Sequence, residues 1–123
     1  VVDPIPNSHR FSEAEIMKRI AEGVAILRQK DNTPVVLVQN YVGSDSVMMK
    51  TSYASYLAAN ASLRKAYKEL KQQGVQNIYL LEKEKILLGE EGMIEGAHPN
   101  DLGTMVYARA YIGMLRKILG CKK

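Results

Sequence analysis

The sequence predicts an α/β fold with a parallel sheet and helices on both of its faces. Three observations carry this. Val35-Val36-Leu37-Val38 and Ile78-Tyr79-Leu80-Leu81 are apolar runs without alternation, the pattern of strands covered on both sides. Segments with apolar residues at helical spacing separate and follow these runs. Val1-Val2 opens the chain like the tail of one more buried strand. The order is then strand end, helix, strand, helix, strand, helix, which implies right-handed crossovers and a parallel sheet. Sites in such sheets lie beyond the carboxyl ends of the strands. Here that means residues 3–7, 39–51 and 82–98, so Asn7 and His98 are expected at one sheet edge.

Pro4 and Pro6 are expected to hold Asp3 to Asn7 extended, with loop continuing to Ser12. Ser12-Glu13-Ala14-Glu15 has the form of a capping box, in which each end satisfies an orphan backbone N–H. Ile16, Ile20, Val24 and Leu27 then form one apolar stripe on a helix that Asp31-Asn32-Thr33-Pro34 ends. Gln39-Asn40 closes the first full strand, and small and polar residues follow to Thr51. Gly43-Ser44-Asp45-Ser46 lies in that loop, but nothing around Ser44 or Ser46 resembles a strand-to-helix elbow. A second helix is predicted over 52–73, with Leu57, Ala61, Leu63, Ala66, Tyr67 and Leu70 inward and Gly74 just past its end. Residues 82–94 read as a charged connection with one helical turn at Ile86-Leu87-Leu88. The last helix is expected to bury Leu102, Met105, Ala108, Ile112, Leu115 and Leu119.

Composition narrows the function classes. At 123 residues, with 46% hydrophobic and 24% charged, the chain is one ordinary globular domain or a piece of one. The net charge of +4 is mild, and no basic run is interleaved with aromatics, so nucleic acid is not a favoured partner. No apolar stretch approaches the roughly 20 residues that span a bilayer. Cys121 has no partner for an internal disulfide and sets no compartment. The opening on Val1-Val2, without Met, suggests a fragment or processed product. Its apolar strand edge is then expected to pair with a companion segment or a second copy.

Glu95-Gly96-Ala97-His98-Pro99-Asn100-Asp101-Leu102-Gly103 carries the chemistry. Proline pushes its predecessor out of the α region, so His98 sits on a loop immediately ahead of a helix. Gly96 lets the chain turn between acid and imidazole, which is one way to present an oriented general base. Glu and His three apart also arise on loops by chance, and Asn100 or Asp101 before a helix is ordinary capping. Spacing alone leaves both open. His9, two residues beyond Asn7, is either a pocket residue or a solvated loop histidine. Tyr41 and Tyr53 are candidates for a pocket wall or for packing.

This block resembles the last motif of SGNH/GDSL-type esterases, whose usual form is Asp-Gly-x-His-Pro-x-Asp-x-Gly. Asp3-Pro4-Ile5-Pro6-Asn7, Thr33-Pro34-Val35-Val36-Leu37-Val38, Asn60-Ala61-Ser62-Leu63-Arg64 and Gly74-Val75-Gln76-Asn77-Ile78-Tyr79 are similar to one branch, the acylhydrolases of bacterial carbohydrate-utilisation sets. The resemblance implies a flavodoxin-like three-layer α/β/α arrangement, the SGNH hydrolase fold, of which this chain is the C-terminal part of a single domain. It implies a serine-dependent carboxylic ester hydrolase, carbohydrate esters among its substrates, with His98 as base, Glu95 as orienting acid and Asn7 as oxyanion donor. No metal or cofactor is implied, and a periplasmic or secreted setting is slightly favoured. Two departures stand out. Glu95 replaces the usual Asp, and the serine and glycine blocks are absent from these 123 residues, which alone should be inert. An inactive SGNH-like binding or structural module, and an unrelated domain binding a small acidic ligand, are the competing expectations.

Overall fold

The computed structural model describes residues 1–42, 50–94 and 98–121, the side chains of 50–52 excepted. Among the described residues, four α-helices and two strands follow the order α1 (Ile5–Ser8), α2 (Glu13–Lys30), β1 (Val35–Val38), α3 (Lys50–Gln72), β2 (Ile78–Leu81) and α4 (Asp101–Leu119). The strands are parallel, with Val35 opposite Ile78 and Val38 opposite Leu81. Along β1 the odd-numbered ends bond to the β2 side, through Val35 N–H to Asn77 O and Gln39 N–H to Leu81 O. The even-numbered residues bond to the other side, where Val2 donates to Val36 O at 2.8 Å and accepts from Val38 N–H at 3.0 Å. β1 is therefore the middle of the sheet, and Val2 is the strand end that the sequence suggested.

Side-chain alternation sends β1 to two cores. Val35 and Leu37 join Ile78, Ile5, the Ile16–Ile20–Val24 stripe of α2 and Leu63, Ala66 and Leu70 of α3. Val36 and Val38 join Leu81, Ile86, Leu88 and Met93, with one side of α4 packed over them. Helices thus cover both faces of a parallel sheet, an incomplete α/β/α arrangement. Arg28 ties the strand starts together by donating to the carbonyls of Thr33, Gln76 and Asn77 at 2.9–3.0 Å.

Local chemistry accounts for most element ends. Ser12 Oγ accepts the Glu15 N–H, but the Glu15 carboxylate is engaged by Arg19 Nε at 2.7 Å, so only half of the expected capping box is made. Gly74, at φ +84°, ends α3 in a Schellman motif, with Val75 N–H on Leu70 O and Gly74 N–H on Lys71 O.

The structure corrects four expectations. Residues 5–8 are a turn of helix rather than extended, because Pro4 caps it and Pro6 lies in the first turn, where a missing N–H costs nothing. Ile86-Leu87-Leu88 is not helical; 3-10 turns flank it at Lys83–Lys85 and Glu90–Gly92. Ile86 and Leu88 are buried while Leu87 is 84% exposed, the alternation of extended backbone. In α2 and α3, Leu27 and Ala61 face outward, whereas Asn60 and Ser62 are buried. In α4, Leu102, Met105, Ala108, Ile112 and Leu119 are exposed, and Val106, Tyr107, Ala110, Tyr111, Met114 and Ile118 pack inward beside Leu115. That helix is apolar nearly all round, so periodicity does not select a face.

Candidate active site

His98 rides on a strap pinned at both ends. Ile94 N–H donates to His98 O at 2.8 Å, and Met93 and Pro99 form an antiparallel bridge. Asn100 N–H donates to Gly92 O at 3.0 Å, and Asn100 Nδ2 to Glu91 O at 2.7 Å. The same residue caps α4, its Oδ1 accepting the Gly103 N–H at 3.0 Å. Asn100, not Asp101, is therefore the cap, and it welds the strap to the helix.

Gly103 explains itself by contact. A Cβ at that position would stand 2.0 Å from Gly92 O and 2.9 Å from the Pro99 side chain. Both lie on the strap, and the nearer obstacle is backbone. Gly103→Ala is expected to lower stability by about 3 kcal/mol, the upper part of the range for overpacking, as measured by urea unfolding. A loss under about 0.5 kcal/mol would mean that the two backbones separate readily and that the strap is not held.

Asn7 is exposed on α1, and its side-chain amide has no hydrogen bond among the described residues. α1 is held by Ser8 Oγ, which donates to Pro4 O, and by His9 N–H on Ile5 O. His9 is no solvated loop residue. Its ring stacks on Tyr56 with centroids 4.2 Å apart, and its Nδ1 lies 3.1 Å from Pro6 O.

Asn7 and His98 line one cleft of about 400 Å³, together with Asp3, Asn40, Tyr107 and Tyr111. Asp3 directly follows Val2, and Asn40 lies two residues past β1, so the cleft is at the carboxyl ends of the strands. Tyr107 Oη accepts the Tyr41 N–H at 3.1 Å. Burial, helped by the charge of nearby Asp3, pushes the hydroxyls of Tyr107 and Tyr111 up to about 12, so both remain neutral donors near pH 7.

Asp3 retains some open surface, yet burial of its carboxyl pushes it from the ordinary 3.8 up to about 6. A carboxyl with a raised folded-state value binds more protons folded than unfolded. Its contribution to stability is therefore present at acid pH and is lost as pH rises from about 4 to about 6. Asp3→Asn should gain stability relative to wild type across that interval, read by urea unfolding at stepped pH. A difference that does not change with pH would show the carboxyl to be fully hydrated.

The third sequence candidate, Glu95, lies outside the described residues, as do Gly96, Ala97 and the Gly43-to-Ser46 passage. Tyr53 is exposed and Tyr41 packs in the core beneath the cleft. The aromatic lining is Tyr56, one helical turn beyond Tyr53, together with Tyr107 and Tyr111. Asp3, Asn40, Tyr107 and Tyr111 were not singled out as site residues from the sequence. For Asp3 and Asn40 the signal was position, immediately after strands whose carboxyl ends were predicted to hold the site. Tyr107 and Tyr111 share one helix face four apart, which the misassigned stripe concealed.

The family model described as GDSL-like Lipase/Acylhydrolase family matches residues 1–116. A crystal structure designated a GDSL-like lipase from Bacteroides ovatus superposes with a TM-score of 0.81 at 28% sequence identity. The match covers 96% of this chain and 35% of that one, so the chain spans about a third of that protein's length. No curated protein matches.

Proposed function

The chain belongs to the GDSL-like lipase/acylhydrolase family, and from that premise we propose that it forms the base-bearing part of a serine-dependent carboxylic ester hydrolase. His98 takes the proton of a serine hydroxyl as it attacks the ester carbonyl, and returns it to the leaving alcohol. Glu95 holds the imidazole, and the Asn7 amide donates to the oxygen that becomes negative. The observation that carries this reading is the cleft that Asn7 and His98 line together.

The serine and the glycine block come from polypeptide outside these residues, so residues 1–123 act as the C-terminal part of one hydrolase domain. The apolar surface beside Val2 supports this. A groove of about 240 Å³ is lined by Val2, Phe11, Ile20, Gly23, Leu27 and Leu37, and Val1, Phe11 and Leu27 are exposed. An apolar edge left unpaired by the described residues calls for another strand, from the companion segment or, in its absence, from a second copy. The substrate is a small acyl ester, carbohydrate esters included.

Labelling tests the reading. The full-length protein, treated with a fluorophosphonate, should gain one covalent adduct on a serine by mass spectrometry. A folded protein that gains none is not a serine hydrolase, and the non-catalytic relative becomes the correct description.

A further inference from the structure

Four polar residues are buried among the described residues: Gln39, Asn40, Asn60 and Ser62. Three have their side chains bonded. Gln39 Nε2 donates to Asn60 O at 2.8 Å, and its Oε1 accepts from Lys83 N–H at 3.2 Å and Arg64 Nη2 at 3.4 Å. Ser62 Oγ donates to Ala58 O at 2.9 Å. Asn60 spends its whole amide on the backbone of Asn40, with Oδ1 accepting the Asn40 N–H at 2.9 Å and Nδ2 donating to Asn40 O at 2.8 Å. Asn60, 2% exposed on α3, thus binds Asn40 as a neighbouring strand would and prolongs the β1 ladder past Val38. On the next residue, the Tyr41 N–H is held by Tyr107.

The fourth side chain is the exception. Asn40 is 4% exposed and lines the cleft, yet its amide has no hydrogen-bond partner among the described residues. Among the described residues the one fully buried side-chain polar atom without a partner is Arg28 Nε, so the Asn40 amide reaches the open cleft, where it can pair only with what enters there. The investment is also lopsided, since a buried asparagine and a tyrosine hydroxyl fix the main chain at 40–41 while the side chain they position binds nothing of its own.

We infer that Asn40 is a substrate-binding residue whose amide hydrogen-bonds hydroxyl groups on the alcohol side of the ester, and that Asn60 positions it. This rests on the hydrolase reading above. An amide donates and accepts at once, which suits a hydroxyl that does both. The Asp3 carboxyl, the Thr104 hydroxyl and the neutral phenols of Tyr107 and Tyr111 line the same cleft, with no Lys or Arg among the described lining residues. Among the described residues anionic alcohols meet no counter-charge there, and apolar ones leave the Asn40 amide unpaired. The substrate class is an uncharged ester of a hydroxyl-bearing alcohol.

The experiment compares full-length wild type, Asn40→Leu and Asn60→Ala on two acetyl esters, 1-acetylglycerol and p-nitrophenyl acetate, with a melting curve for each protein. Asn40→Leu should lower the preference for acetylglycerol, taken as the ratio of kcat/KM values, by about tenfold or more through KM. Its Tm should not fall, because the substitution removes no internal hydrogen bond and leaves the Asn60 clamp intact. Asn60→Ala should lower the same ratio and also the Tm, since it unpairs the Asn40 backbone. Equal losses on both esters, an unchanged ratio, or a Tm drop for Asn40→Leu matching that of Asn60→Ala would overturn the inference. So would wild type that cleaves the aryl ester but not acetylglycerol. Wild type inactive on both esters would instead sink the hydrolase reading, and this inference with it.

Discussion

His98→Ala in the full-length protein is expected to cut kcat for p-nitrophenyl acetate by about 10⁴- to 10⁶-fold, the range seen when the base of a serine triad is removed. The size of the loss follows from the role: without the imidazole the attacking hydroxyl keeps its proton and is a poor nucleophile. The structure also predicts what will not change. The strap is held by the backbone of residues 94, 98 and 100 and by the side chain of Asn100. His98 is itself exposed and alanine leaves those bonds intact, so the melting temperature should fall by no more than about 4 °C, since one surface interaction is worth at most about 1 kcal/mol. Loss of turnover with an unaltered fold assigns the effect to chemistry. Turnover that persists at a tenth of wild type or more would show that another group takes the proton.

Asn7→Ala should lower kcat by about 10²- to 10³-fold, equivalent to about 2.7–4 kcal/mol of transition-state stabilisation, with KM little altered. An amide aimed at the developing oxyanion matters only once charge has moved there, which is why the loss belongs to kcat. Stability is again the control. α1 is closed by Ser8 and His9 rather than by Asn7, and the Asn7 side chain makes no hydrogen bond among the described residues. Removing it breaks nothing internal. A rise in KM at constant kcat would identify Asn7 as a ground-state contact and remove it from the oxyanion role.

Much of the fold was legible because it is written in short-range chemistry. Ser12 caps α2 and Gly74 closes α3 through bonds spanning at most five residues. The runs at 35–38 and 78–81 are apolar on both alternations, so a strand covered on both faces was the consistent assignment, and the two cores confirm it. Prolines misled in the opposite way: Pro4 and Pro6 suit the first turn of a helix as well as an extended segment, and only the packing of Ile5 into the core selects the turn.

The site was legible in part. The order of elements placed Asn7 and His98 at one edge, and both line one cleft. What stayed hidden was the surrounding wall. Nothing local marks Tyr56 above Tyr53, or shows that His9 stacks against it, because that contact joins α1 to α3 across 47 residues.

The sequence by itself determined the bounds of α2, β1 and β2, the end of α3, and which loops meet at the carboxyl edge of the sheet, since these depend on caps, turns and the period of apolar residues. The tertiary structure alone decided which side of α4 is covered, and that the asparagine at position 60 is a buried clamp rather than a wet helix residue. A helix apolar all round, or an amide with no neighbour in the chain, takes its meaning from what packs against it, and that information resides in another element.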